Sequence, residues 1–154
     1  MKDQDKMPKK ASNLALSIAQ CKCARCRQGD MFIEKNPYKK GAMKMHDKCE
    51  VCGQPMEVEV GFYYGSGYVS YALSIAVSVA TFIAWWVFIG FALEDNRIFY
   101  WLIANGIILG LLQPVIMRLS RAGWLAIFVR YNKNWKDKPA DKAERMIKEW
   151  QNGW

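Results

Sequence analysis

The sequence predicts a membrane protein in three parts: a small β head of zinc-ribbon type, a two-helix transmembrane hairpin, and amphipathic helices at the C-terminal end. Three observations carry that reading. Two Cys-x2-Cys pairs stand early in the chain, Cys23/Cys26 and Cys49/Cys52. Two long uncharged runs follow, at 68–93 and 98–117. Basic residues then crowd both flanks of those runs and are nearly missing between them.

The charge pattern sets the topology. Residues 1–67 hold 12 basic and 8 acidic side chains, residues 118–154 hold 9 and 4, and 68–117 hold only Glu94, Asp95 and Arg97. The net charge of +8 thus belongs to the two ends. Cytoplasmic flanks of membrane helices are enriched in Lys and Arg, so both ends are expected in the cytoplasm. Basic flanks around apolar runs favour membrane lipids as partners over nucleic acid. No nucleic-acid partner is expected, since Phe32 and Tyr38 are the only aromatic residues between the cysteine pairs.

Residues 1–20 form a basic N-terminal segment, charged and then only weakly apolar, without the pattern of a signal peptide. Residues 21–62 form the head. In a reducing compartment paired cysteines bind metal more often than they form disulfides. Twenty-two residues separate Cys26 from Cys49, close to the spacing of a four-cysteine zinc site. Cys23, Cys26, Cys49 and Cys52 are therefore the expected ligands, with zinc ahead of iron because four thiolates also hold a single iron. Gly53 after the second pair suits a turn with positive φ. A head of this size has little core, and a bound ion would supply folding energy. Thiol–disulfide chemistry is the rival reading, but its usual βαβ setting is missing from 27–67. Cys21 is a fifth thiol that could replace Cys23, and His46 could substitute as a ligand. Met43, Met45 and His46 also raise a weaker copper reading.

The hairpin spans 63–117. Each uncharged run exceeds or matches the ~20 helical residues that cross a bilayer core. Only Glu94–Arg97 separates them, so the helices are antiparallel neighbours. Tyr63, Tyr64, Tyr68 and Tyr71 mark one interface; Trp85, Trp86, Phe99, Tyr100 and Trp101 mark the other. Ala72, Ala76, Ala80 and Ala84 in the first helix, and Gly106 and Gly110 in the second, are small-x3-small rows expected to pack the hairpin against itself. Asn105 and Gln113 are candidates for interhelical hydrogen bonds, and Pro114 is expected to bend the second helix near its cytoplasmic end or to end its regular hydrogen bonding. No Asp, Glu, Lys, Arg or His lies within either run, which argues against a proton or ion path.

Residues 118–154 are expected to form interfacial and C-terminal amphipathic helices. In 118–135, Arg118, Arg121 and Arg130 would reach toward phosphates while Trp124, Leu125, Ile127 and Phe128 sink into the interface. In 139–154, Ala143, Met146, Ile147 and Trp150 share one helical face.

The order of these features, "CARCRQGDMF", "CEVCG", "GFYYGSGYVSYAL", two membrane helices and "LSRAGWLAIFVRY", resembles the bacterial domain-of-unknown-function family 983. The resemblance runs from about Cys23 to Tyr131 and implies an inner-membrane protein with metal-ligand roles at Cys23, Cys26, Cys49 and Cys52. It departs from the family at Ala24, where proline is usual, and at Arg27, where glycine is usual. The resemblance also implies, through relatives associated with cytochrome c oxidase, an accessory or assembly role near a respiratory complex. No catalytic constellation or phosphate loop is present. The expected function is a non-enzymatic inner-membrane adaptor docking onto a larger membrane complex, with self-association left open. The alternative is a metal-handling or thiol-redox membrane protein using the cysteine pairs.

Overall fold

The computed structural model describes residues 13–90, 96–137 and 140. Among the described residues there are three α-helices, α1 (Leu14–Ala19), α2 (Ser66–Ile89) and α3 (Arg97–Phe128), with a 3-10 turn at Phe62–Gly65 leading into α2. The basic segment before residue 13, most of the connection between α2 and α3, and the amphipathic helix expected over 139–154 lie outside the described residues, Ala140 excepted.

α2 and α3 are antiparallel and packed together, and both are long and apolar enough to cross a membrane. Their outer faces are strongly apolar and bare. Ile75, Val79, Ile83 and Trp86 of α2, and Phe99, Leu102, Ile103 and Ile107 of α3, are exposed. The contact between them is polar at its centre. Asn105, 9% exposed, donates to the Ser78 hydroxyl at 3.2 Å and accepts from the Thr81 hydroxyl at 3.0 Å. Near the end of the hairpin far from the head, Phe82 meets the Trp101 ring edge-on at 5.2 Å. The small-residue rows do not serve this contact. Ala72, Ala76, Ala80 and Ala84 are exposed, as are Gly106 and Gly110, and a Cβ at either glycine would meet nothing within 4 Å. The hairpin instead closes through the Ser/Thr face, where hydroxyls and an amide can satisfy one another away from water.

The expected β head is corrected by the structure: among the described residues there is no strand. Chain pairs with chain only as three isolated bridges, Lys22 with Asp30, Phe32 with Met45, and Lys48 with Pro55. The cause is local. The Lys22–Asp30 and Lys48–Pro55 pairings run at once into cysteine turns, and carbonyls that could extend the Phe32–Met45 ladder are taken by another element. Arg118 of α3 receives them: its guanidinium donates to the carbonyls of Glu34, Lys35 (2.8 Å) and Ala42 (2.7 and 3.0 Å).

That finding also corrects the segment after residue 117. Instead of a separate segment, 118–128 forms the last turns of α3, and Arg118 and Arg121 donate to carbonyls of the head. Arg118 is 6% exposed and lies over the Phe32 ring at 4.5 Å. Arg121 donates to the Met43 carbonyl at 3.1 Å. Trp124 Nε1 donates to the Phe62 carbonyl at 2.8 Å, tying α3 to the start of α2. Ala122 and Leu125 join Cys23, Ala24, Cys26, Met31, Phe32, Cys49 and Met56 in one core. Head and hairpin therefore share a single apolar cluster, and Leu125, fully buried in it, contributes on the order of 2–5 kcal/mol relative to alanine.

Candidate metal centre

Two turns of one design present the sulfurs. In the first, the Arg27 amide donates to the Cys23 carbonyl at 2.8 Å; in the second, the Gly53 amide donates to the Cys49 carbonyl at 2.8 Å. Both end in a left-handed residue, Arg27 at φ 56° and Gly53 at φ 71°. Glycine takes that conformation freely, whereas a side chain there costs about 1–2 kcal/mol. Stacking of the Arg27 guanidinium on Tyr131, at 4.3 Å, offsets part of the cost.

The likeness extends beyond the turns. The Cys23 amide reaches the Gly29 carbonyl and the Cys49 amide the Gln54 carbonyl, both at 2.8 Å. The Met31 amide then bonds the Cys21 carbonyl and the Met56 amide the Asp47 carbonyl. Met31 and Met56 close the two halves as buried equivalents, at 0% and 1% exposure. The sequence carries this duplication as "KCARCRQGDM" and "KCEVCGQPM". One extra residue in the first copy hides it from a reading that looks only at cysteine spacing.

The four Sγ atoms of Cys23, Cys26, Cys49 and Cys52 lie within 4.8 Å of one another. Across the two turns, Cys23 and Cys52 approach to 3.7 Å, and so do Cys26 and Cys49. A tetrahedron with metal–thiolate bonds of ~2.3 Å has edges of roughly 3.8 Å, so the sulfurs already stand at ligand spacing. These four cysteines could hold a metal ion. Cys23, Cys26 and Cys49 are buried, and Cys52 is partly exposed.

Crowding splits the thiols electrostatically. Hydrogen bonding to Cys26 pushes the Cys23 thiol well up, and the same contact holds Cys26 far below the usual thiol range. Cys49 is drawn down to about 7, chiefly by its bond with Cys23. Backbone hydrogen bonds from Gly29 to Cys26 and from Cys52 to Cys49 add to the stabilisation of thiolate. Such a set accepts a cation readily and tolerates its own negative charge poorly.

Gly29 is the site residue that cysteine spacing did not reveal. A Cβ there would stand 2.3 Å from Cys49 Sγ. Cys21 stays outside the sulfur cluster: it lies in the left-handed region at φ 51°, and burial raises its thiol above the ordinary range. His46 also stays outside, with Nδ1 3.5 Å from Glu50 Oε1. Met43, Met45 and His46 line a separate cavity of about 700 Å³ with Met56, Tyr63 and Arg121. Arg121 donates to Met45 Sδ at 3.7 Å, placing a cation where a copper ion would have to bind.

Comparison with protein-family models, with curated proteins and with solved structures gives no match. The resemblance drawn from the cysteine and hairpin motifs gains no support there.

Proposed function

We propose that this chain is a non-enzymatic membrane adaptor whose cytoplasmic head is closed by a structural zinc ion and whose hairpin docks onto a larger membrane complex. The observation that carries the proposal is the placement of the four sulfurs at tetrahedral spacing inside a core that α3 itself completes through Ala122 and Leu125. A buried, all-thiolate set with no open position suits a structural ion, and zinc is the usual occupant of such a set. Burial argues for structure over redox exchange, because a catalytic thiol must be reached by its partner.

The docking part of the proposal rests on the outward faces of α2 and α3. Two helices cannot cover each other, and the rows at Ala72–Ala84 and Gly106–Gly110 leave flat backbone where another membrane helix can approach closely. A respiratory assembly in a bacterial inner membrane is the partner class that the family resemblance points to, with both chain ends on the cytoplasmic side by the charge rule.

Purification of the tagged chain in mild detergent tests both halves. Metal analysis should return one zinc per chain that survives dialysis, and partner identification should return a multi-subunit membrane complex. A stable, partner-free monomer obtained without detergent would overturn the adaptor reading. An ion that dialyses away would favour metal delivery.

A further inference from the structure

The head does more than sit on the end of α3. Its loop 34–44 descends along that helix. Tyr38 donates its hydroxyl to the Leu111 carbonyl at 2.8 Å, and Arg118 grips the loop at Glu34, Lys35 and Ala42. Leu111 lies one turn before Pro114, whose missing amide leaves the neighbouring Gly110 carbonyl without its helical donor. Counted from Arg97 at ~1.5 Å per residue, Leu111 is roughly 21 Å along α3, short of the ~30 Å depth of an apolar bilayer core. With α2 and α3 taken as spans, the Tyr38 ring enters the apolar layer beside α3, and the rest of the loop lies at the headgroups.

Its composition fits that level. Lys35, Lys39, Lys40 and Lys44 are all exposed, and Glu34 is the single acid of the loop, 3.6 Å from Lys39. Tyr38 is 62% exposed although its hydroxyl is satisfied, so most of the ring awaits an apolar neighbour. Tyr64, Tyr68 and Tyr71 are exposed at the same end of the hairpin, the position of an interfacial aromatic belt. Beside the loop, a cleft of about 510 Å³ runs between head and α3, walled by Phe32, Pro37, Val115 and Leu119, with the ion-paired Lys22 and Asp30 also lining it, along with Lys35 and Glu34.

We propose that loop 34–44 is a third membrane attachment that selects anionic phospholipid. The lysines take the phosphates of the leaflet facing the head, while Tyr38 seats the loop in the acyl layer. This rests on the membrane reading of α2 and α3. Charge decides the occupant: four cations against one carboxylate gain little from a zwitterionic surface and much from an anionic one. An acidic protein segment would satisfy the lysines but leave the depth of Tyr38 without a purpose.

The test uses the full, metal-loaded chain in phosphatidylcholine vesicles containing trace spin-labelled phosphatidylglycerol or spin-labelled phosphatidylcholine. The fraction of each probe immobilised by the protein is read by electron paramagnetic resonance. We expect a preference for phosphatidylglycerol of roughly fivefold, the weight of one lysine beside one headgroup. The combined substitutions Lys35→Gln, Lys39→Gln, Lys40→Gln and Lys44→Gln should bring it near parity while metal content stays unchanged. Arg130→Gln with Lys133→Gln and Lys136→Gln should leave it intact. No preference in the unaltered chain, or a preference that survives the loop substitutions or vanishes with the tail ones, would overturn the proposal. Release of the chain from vesicles by alkaline carbonate would instead remove the membrane reading beneath it.

Discussion

Arg118 donates to the Ala42 carbonyl twice, through Nε at 3.0 Å and Nη2 at 2.7 Å, across 76 positions of sequence. With the bonds to Glu34 and Lys35, this one side chain replaces the ladder that a β head would have used. Arg118→Met keeps the apolar stem but leaves buried carbonyls without donors, each worth about 1–3 kcal/mol. The head should detach from α3 at a total cost of about 3 kcal/mol or more. Proteolysis within 34–44 should quicken while cleavage of α2 does not.

Removing the ion should unfold the head and spare the hairpin. A strong chelator, or Cys26→Ser, is expected to expose Cys23 and Cys49 to thiol reagents within the mixing time, while helix content from α2 and α3 persists. Acidification acts in the same direction, because protons compete with the metal for thiolates. Metal occupancy should therefore fall as pH is lowered, and tryptophan fluorescence from Trp124 should follow it.

Gly29→Ala tests the site without touching a ligand. The added methyl would stand 2.3 Å from Cys49 Sγ, so a sulfur must move out of ligand spacing. Metal affinity should drop by about 10–100-fold, the range seen when groups supporting a ligand are disturbed. Competition with a chromogenic chelator measures it, and an unchanged affinity would rule out this packing.

Arg27→Gly compares two opposed effects at one position. Relief of the left-handed backbone should gain about 1–2 kcal/mol, and loss of the stacking on Tyr131 should cost about 0.5–1 kcal/mol. The variant is expected to be equal to the parent or slightly more stable in thermal unfolding followed by metal release.

The hairpin prediction pairs a substitution with its neighbour. Asn105→Leu removes the bonds to Ser78 and Thr81 and should destabilise helix pairing by about 1 kcal/mol in detergent titration. Gly106→Leu, one residue on, meets open space and should leave it within about 0.5 kcal/mol. The same Gly106→Leu should weaken association with a membrane partner. Equal effects of the two on the isolated hairpin would contradict the packing described.

What could be read in advance followed from locality. Paired cysteines at ribbon spacing announce a four-sulfur site because each pair is set by a four-residue turn, and the structure brings those sulfurs together. Uncharged runs announce helices because their length alone is diagnostic. The failures all concern partners distant in sequence. Arginine after an apolar run looks the same whether phosphate or a folded loop receives it, so sequence alone points Arg118 and Arg121 at lipid. Small residues at four-residue spacing mark a face without saying what lies against it, and here the Ser78–Thr81–Asn105 cluster holds the hairpin. A strand prediction assumed that hairpin carbonyls pair with hairpin amides, which Arg118 prevents.

α3 runs as one helix of 32 residues, ~48 Å, from Arg97 at the far end of the hairpin to Leu125 and Phe128 against the head. It is thus a lever. A neighbour that tilts this rod swings the sulfur cluster through the same angle, so the orientation of the head reports how the hairpin is seated among whatever surrounds it.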